Sequence, residues 1–201
     1  RGWTREKAKD YGKAQMNEEG TRAMQAEIRS QLEEKRKGGK TPAKFSNVQL
    51  ELSEKDAGPI KEFREKTIDK NDVVKGQDLP SYITDGINID PHITVKYGLK
   101  TNDAGDVRNL FQGQKPVELT LGKTSVFPGA EGGNYDVVIV EVDSPQLHDL
   151  HKHITQKADV APATHDKYVP HITLAYVEKG KGAKYAGKTD LEGKQLVYDG
   201  V

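Results

Sequence analysis

Two tetrapeptides in this chain are identical: Pro91-His92-Ile93-Thr94 and Pro170-His171-Ile172-Thr173. On a β-strand, residues i and i+2 project from the same face. His92 and Thr94 therefore point together, with Ile93 and Val95 on the opposite face. His171 and Thr173 repeat the arrangement, with Ile172 and Leu174 behind them. If the two copies face each other across a cleft, two imidazoles and two hydroxyls converge on one point.

That set suits displacement at a phosphodiester. One group must take a proton from the attacking oxygen, and another must give one to the leaving oxygen on the far side of phosphorus. Imidazole, with an unperturbed pKa of about 6.5, can do either near neutral pH. Threonine hydroxyls can donate to the non-bridging oxygens, where charge accumulates. The chemistry needs no metal ion and no cofactor. His92 and His171 are thus the candidate catalytic pair, and Thr94 and Thr173 the candidate phosphate binders. A lone His-x-Thr in a strand would mean little; two copies in the same local pattern and the same larger order carry the functional reading.

Lys96, Tyr97 and Tyr176 are candidate substrate contacts. Lys96 shares the His92/Thr94 face by parity, although an exposed lysine is equally well read as solvated surface. Each tyrosine stands five residues beyond its histidine, and this odd offset sends it to the opposite face, for core packing, unless a bulge intervenes. His148, His151 and His153 invite a metal reading. His148 and His151 are neighbours on a predicted helix, but His153 points elsewhere and no carboxylate completes a site, so no metal centre is assigned. His165 falls in a polar loop. Gly129-Ala130-Glu131-Gly132-Gly133 lacks the Lys-Ser/Thr and following helix of a phosphate-cradling loop and reads as a turn.

The elements that must position these residues follow from periodicity. Val48–Leu52 alternates as a half-buried strand. Pro59 is placed to open a short helix running to about Ile68. The polar stretch from Asp69 to Asp90 has the length of a functional loop or flap. Ile93–Leu99 is a strand, Asp103 caps a helix over Val107, Leu110 and Phe111, and Val117–Leu121 is a strand. Val137–Val142 is an apolar run broken only by Glu141, as expected of a strand buried on both faces. Ser144-Pro145 caps and opens a helix to about Lys157 with Leu147, Leu150 and Ile154 inward. His171–Val177 and Leu196–Tyr198 complete the strands. The order strand, helix, loop, Pro-His-Ile-Thr strand thus occurs twice. It implies an α+β fold of two pseudo-two-fold related lobes of antiparallel sheet, with flanking helices around a central cleft. The expected repeats are about 45–116 and 117–201.

Residues 1–44 are different: charged, with Met24, Ile28 and Leu32 as a thin helical stripe and Lys37–Pro42 as a linker. They read as a charged helical extension, either a solvated helix docked by one edge or a surface for a protein partner. The 201 residues are 34% hydrophobic and 31% charged, with a formal net charge of zero. There is no global basic field to draw in long nucleic acid, so a nucleotide or short oligonucleotide held by local groups is the better match. Cysteine is absent, which removes thiol nucleophiles, disulfides and cysteine-ligated zinc. No apolar run approaches membrane-spanning length, and no signal-peptide pattern opens the chain. A cytoplasmic location is the corresponding expectation. The missing initiator Met is compatible with a fragment of a longer chain.

On these residues the chain resembles the 2H phosphoesterase superfamily, which includes the LigT-like "2′-5′ RNA ligase" proteins. That family carries two His-x-Thr/Ser elements, often Pro-His-x-Thr-Leu in the second half. Val117–Gly122 leading to Phe127-Pro128, then the Val137–Val142 strand and the Leu147/Leu150 helix, are similar to its middle segment. The resemblance covers roughly Phe45 to Val201. It implies a bilobed fold with a groove, His92 and His171 as acid/base pair, and Thr94 and Thr173 as phosphate binders. It also implies action on 2′,3′-cyclic phosphates or on 2′-5′-linked or cyclic oligonucleotides. Many members have Arg or Phe where Tyr97 and Tyr176 stand, so substrate contacts differ, and the Lys- and Gly-rich end leaves the last elements open. Two other readings are a phage enzyme that degrades cyclic oligonucleotide immune signals in the host cytoplasm, and a non-catalytic nucleotide- or RNA-end-binding module. Binding alone does not require two titratable imidazoles.

Overall fold

A computed structural model describes residues 46–75, 86–87, 90–101, 104–111, 113–129, 133–161 and 167–198. The expected N-terminal extension (1–44), most of the expected flap, Asp103 and His165 lie outside the described residues. In order, the elements are β1 (Ser46–Glu51), α1 (Glu54–Thr67), β2 (His92–Leu99), α2 (Ala104–Arg108) continued by a 3-10 turn (Asn109–Phe111), β3 (Val117–Phe127), β4 (Tyr135–Asp143), α3 (Pro145–Lys157), β5 (His171–Glu178), a second 3-10 turn (Gly182–Tyr185) and β6 (Gln195–Tyr198). β1 and β2 form one antiparallel sheet; β5, β4, β3 and β6, in that order, form the other. This is the α+β architecture expected from the repeated element order.

The two halves begin alike. β1 is followed by Ser53, whose hydroxyl accepts from the Asp56 amide, and α1 starts there. β4 is followed by Ser144, whose hydroxyl accepts from the Leu147 amide, and α3 starts there. Side-chain acceptors at this position satisfy helix-start amides that have no partner inside the helix. The expectation that Pro59 opens the first helix is corrected: the serine cap and the acidic first turn of Glu54 and Asp56 start it five residues earlier, and Pro59 lies inside. Pro145 does stand in the first turn of its helix.

Ile60 and Phe63 of α1 and Leu147, Leu150 and Ile154 of α3 enter the main core with Ile93, Val95, Val138, Val140, Ile172 and Leu174. The helices are exchanged in their packing: α3 lies against β2 of the first half, and α1 lies against β5 of the second. Each histidine-bearing strand is thereby backed by the other half's helix. The nearly unbroken apolar run of β4 is explained by burial on both faces: Val138, Val140 and Val142 join the main core, while Val137 and Ile139 join a smaller cluster with Val74, Tyr135 and Tyr176. Part of the polar stretch after α1 docks rather than loops out. Val73 bridges Val177, the Val74 amide donates to the Tyr176 carbonyl, and the Tyr176 amide donates to the Gly86 carbonyl.

Candidate active site

The two copies of Pro-His-Ile-Thr occupy equivalent places. The Leu52 amide donates to the Pro91 carbonyl, and the Val142 amide donates to the Pro170 carbonyl. In register, Glu51 stands opposite His92, and Glu141 stands opposite His171. Thr94 faces Gln49, and Thr173 faces Ile139.

Both imidazoles are held the same way. His92 Nδ1 is 2.9 Å from the Asp90 carbonyl, and His171 Nδ1 is 2.7 Å from the Val169 carbonyl, in each case two residues back along the chain. A carbonyl only accepts, so each bond requires the proton on Nδ1. That choice of tautomer leaves Nε2 as the titrating atom of both rings. His92 is 7% exposed and His171 6%. Burial pushes the His171 pKa down to about 4, the Val169 carbonyl opposes the shift, and the charge of His92 adds to it. That last effect places His92, far away in sequence, within electrostatic range of His171. Phe127 meets the His171 ring edge-on, 4.9 Å between centroids at 86°.

The other candidate residues are sorted by two β-bulges. Between the pairs Gln49–Thr94 and Val48–Lys96, β2 contains the extra residue Val95; between Ile139–Thr173 and Val138–Ala175, β5 contains the extra residue Leu174. An extra residue reverses the facing of everything after it. Tyr97 therefore stands opposite Asn47. Asn47 and Gln49 share a face, since the Asn47 side-chain amide donates to Gln49 Oε1 at 3.1 Å. Tyr97 thus joins the face of His92 and Thr94.

The placement of Lys96 on that face is corrected by the same bulge. It stands opposite Val48, is 6% exposed, and its charge acts on His151 of α3, behind the strand. Desolvation lowers its pKa. Tyr176 is turned to the His171/Thr173 side, but it is fully buried and edge-on to Tyr135 at 5.3 Å. It packs with Val74, Val137 and Ile139 and offers no surface to a substrate, so its reading as a contact is also corrected. Among the described residues, no cluster of three or more His, Cys, Asp or Glu side chains is arranged to hold a metal. His148 and His151 instead flank the ring of Tyr168.

Phe127 was not a candidate in the sequence. There the alternating pattern gives a strand over Val117–Leu121 only. The strand instead passes through an irregularity between Leu121 and Thr124 and continues to Phe127. A side chain at Gly122 would press on Glu141 Cβ at 3.2 Å.

The profile of the 2′-5′ RNA ligase superfamily matches residues 52–193. The chain belongs to that superfamily. The match takes in both His-x-Thr elements, and the membership agrees with the 2H phosphoesterase resemblance of the paired motifs. Among solved structures, protein TT0787 of Thermus thermophilus is similar at 15% identity and a TM-score of 0.47, covering 75% of this chain and 81% of that one. Usb1 of Kluyveromyces marxianus, in a structure with uridine monophosphate, is similar at 11% identity and a TM-score of 0.41, covering 70% and 73%. A second Usb1 structure gives 10% identity and a TM-score of 0.44, covering 77% and 88%. No curated protein sequence matches the chain. Among the described residues, no helix is long and apolar enough to cross a membrane.

Proposed function

We propose that this 2H phosphoesterase is a metal-independent phosphodiesterase for a nucleotide or short oligonucleotide whose scissile phosphate adjoins a 2′ or 3′ oxygen. The observation that carries the reading is the matched pair of imidazoles, each fixed through Nδ1–H to a backbone carbonyl and each presenting Nε2.

A 2′,3′-cyclic phosphate is the simplest substrate of this kind. His171, neutral at pH 7 because its pKa is about 4, takes a proton from water as the water oxygen bonds to phosphorus. His92, entering protonated, gives its Nε2 proton to the departing ribose oxygen as the P–O bond breaks. The products are a phosphomonoester and a free hydroxyl, and the proton balance is restored by exchange with solvent. Thr94 and Thr173 donate to the two non-bridging oxygens. Tyr97 stacks on the base or ribose. The mutual repulsion of two imidazolium ions favours the singly protonated pair that this step requires.

The test is turnover of 2′,3′-cyclic nucleotides, 2′-5′-linked dinucleotides and cyclic di- and trinucleotides in EDTA. The expected result is activity on at least one class without a divalent ion, and its loss in His92→Ala and in His171→Ala. Activity that disappears with the chelator and returns with a divalent ion would refute the metal-independent mechanism. Retained ligand binding with no turnover by the unaltered protein would make it a binding module.

A further inference from the structure

The bulge at Val95 leaves β2 with a problem on its outer edge. Further along that edge, backbone serves backbone: the Lys100 amide donates to the Asp159 carbonyl, and the Ala161 amide donates to the Gly98 carbonyl. Gly98 adopts φ +86°, a conformation that glycine tolerates best, and a side chain there would meet Ala161 Cβ at 3.1 Å. At the bulge itself the donors are side chains. The Tyr168 hydroxyl donates to the Thr94 carbonyl at 3.0 Å, and His151 Nδ1–H donates to the Val95 carbonyl at 2.7 Å. The Tyr168 and His151 rings stack, 4.2 Å between centroids and 8° from parallel.

Both donors come from the second half of the chain, His151 from α3 and Tyr168 from the segment that leads into β5. That segment also sets the second imidazole: Val169, the residue after Tyr168, supplies the carbonyl that holds His171 Nδ1–H. The clamp on Thr94 and the orienting group of His171 are therefore adjacent residues. Burial raises the Tyr168 pKa, so its hydroxyl stays a donor. Burial is also the main cause that lowers the His151 pKa, with the charges of Lys96 and His148 adding to it and the Val95 carbonyl opposing.

We propose that Tyr168 and His151 are positioning residues: together they hold the β2 bulge, and with it Thr94, at a fixed separation from His171. The role rests on the phosphodiesterase reading, because the distance between the halves matters only if both act on one phosphate. Neither side chain touches the substrate. A displacement of about 1 Å at a catalytic group can cost roughly 100-fold in rate, so small slack between the strands is enough to matter.

The test uses Tyr168→Phe, which deletes one hydroxyl, and the pair His151→Gln and His151→Leu, of which only the first keeps a donor near the Val95 carbonyl. Steady-state kinetics are measured well below the melting temperature, and the His171 titration is followed by NMR. Tyr168→Phe is expected to lower kcat roughly 10-fold or more with little change in KM, and to move the His171 midpoint upward as water enters the loosened site. His151→Gln is expected to keep most of kcat and His151→Leu to lose it. A lower melting temperature with kcat and the His171 midpoint unchanged would overturn the proposal, as would equal kcat for His151→Gln and His151→Leu. If the unaltered protein turns over no phosphodiester, the functional reading fails, and the His171 midpoint alone decides the clamp: a shift in Tyr168→Phe supports it and no shift refutes it.

Discussion

Val95 and Leu174 are structural equivalents: each is the extra residue of a β-bulge, one step past the threonine of its repeat. The bulges make the two tyrosines that follow change faces together, yet their surroundings separate them. Tyr97 is half-buried on the side of His92 and Thr94, whereas Tyr176 is sealed in a small apolar cluster. Tyr97→Ala is expected to raise KM for a nucleotide substrate by roughly 5- to 160-fold, the range set by about 1–3 kcal/mol of base stacking, and Tyr97→Phe to leave it nearly unchanged. Tyr176→Ala is expected to cost about 3–5 kcal/mol of stability, measured by urea unfolding. Unaltered kinetics in Tyr97→Ala would remove that residue from the site.

His171 links folding to pH. Its pKa is about 4 in the folded chain and 6.5 in the reference state. Burial is the chief cause, opposed by the Val169 carbonyl and reinforced by His92. Between those values the unfolded chain binds a proton that the folded chain refuses. Stability from this group is therefore complete above pH 6.5 and falls as the pH drops toward 4, by up to about 3 kcal/mol. Urea titrations from pH 7 to pH 4 should show a steeper loss in the unaltered protein than in His171→Gln, because the other titrating groups are common to both. The acid limb of kcat/KM should lie near pH 4. A limb near 6.5, or parallel stability curves for the two proteins, would contradict the buried neutral imidazole.

An acid and a base that serve one step do not contribute independently. Each of His92→Ala and His171→Ala is expected to lower kcat by ~10²–10⁴-fold. The double variant is expected to be little worse than the poorer single one, since removing either proton carrier already forces a different route. Losses that multiply in the double variant would mean that the two rings act in separate steps.

The sequence carried the parts of this site that depend on local pattern. The alternation that put His92 with Thr94 and His171 with Thr173 holds because neither pair spans a bulge. It misplaced Lys96, two residues beyond Thr94, because a bulge is a matter of register against the neighbouring strand and leaves no mark in the strand's own periodicity. The serine caps at Ser53 and Ser144 are the same device, but only the second was legible: there the proline adjoins the serine, whereas Pro59 lies well inside α1 and drew the expected start toward itself. Phe127, Tyr168 and His151 were not recognised as site neighbours for a common reason. Each reaches the site through a contact between elements distant in sequence.

Asp136 gives a last prediction, about the turns that join the strands of the larger sheet. The carboxylate is buried, and it is saturated by backbone amides: Oδ1 accepts from Gly129 at 2.9 Å, and Oδ2 accepts from Gly180 at 2.8 Å and Gly182 at 3.0 Å. It thereby ties the turn after Phe127 to the turn after β5. Asp136→Ala would leave three amides without their acceptor, and hydrogen bonds to a charged group are worth about 1.5–3 kcal/mol each. A loss of at least about 3 kcal/mol is expected. Gly182→Ala should also destabilise, because a side chain there would sit 2.7 Å from Val126 Cγ1 and 2.8 Å from Asp136 Cβ. The two changes strike one junction, so the double variant should lose less than the sum of the singles. Stability within about 0.5 kcal/mol of the unaltered protein for Asp136→Ala, the range of an ordinary surface change, would show that the junction is held by something other than this carboxylate.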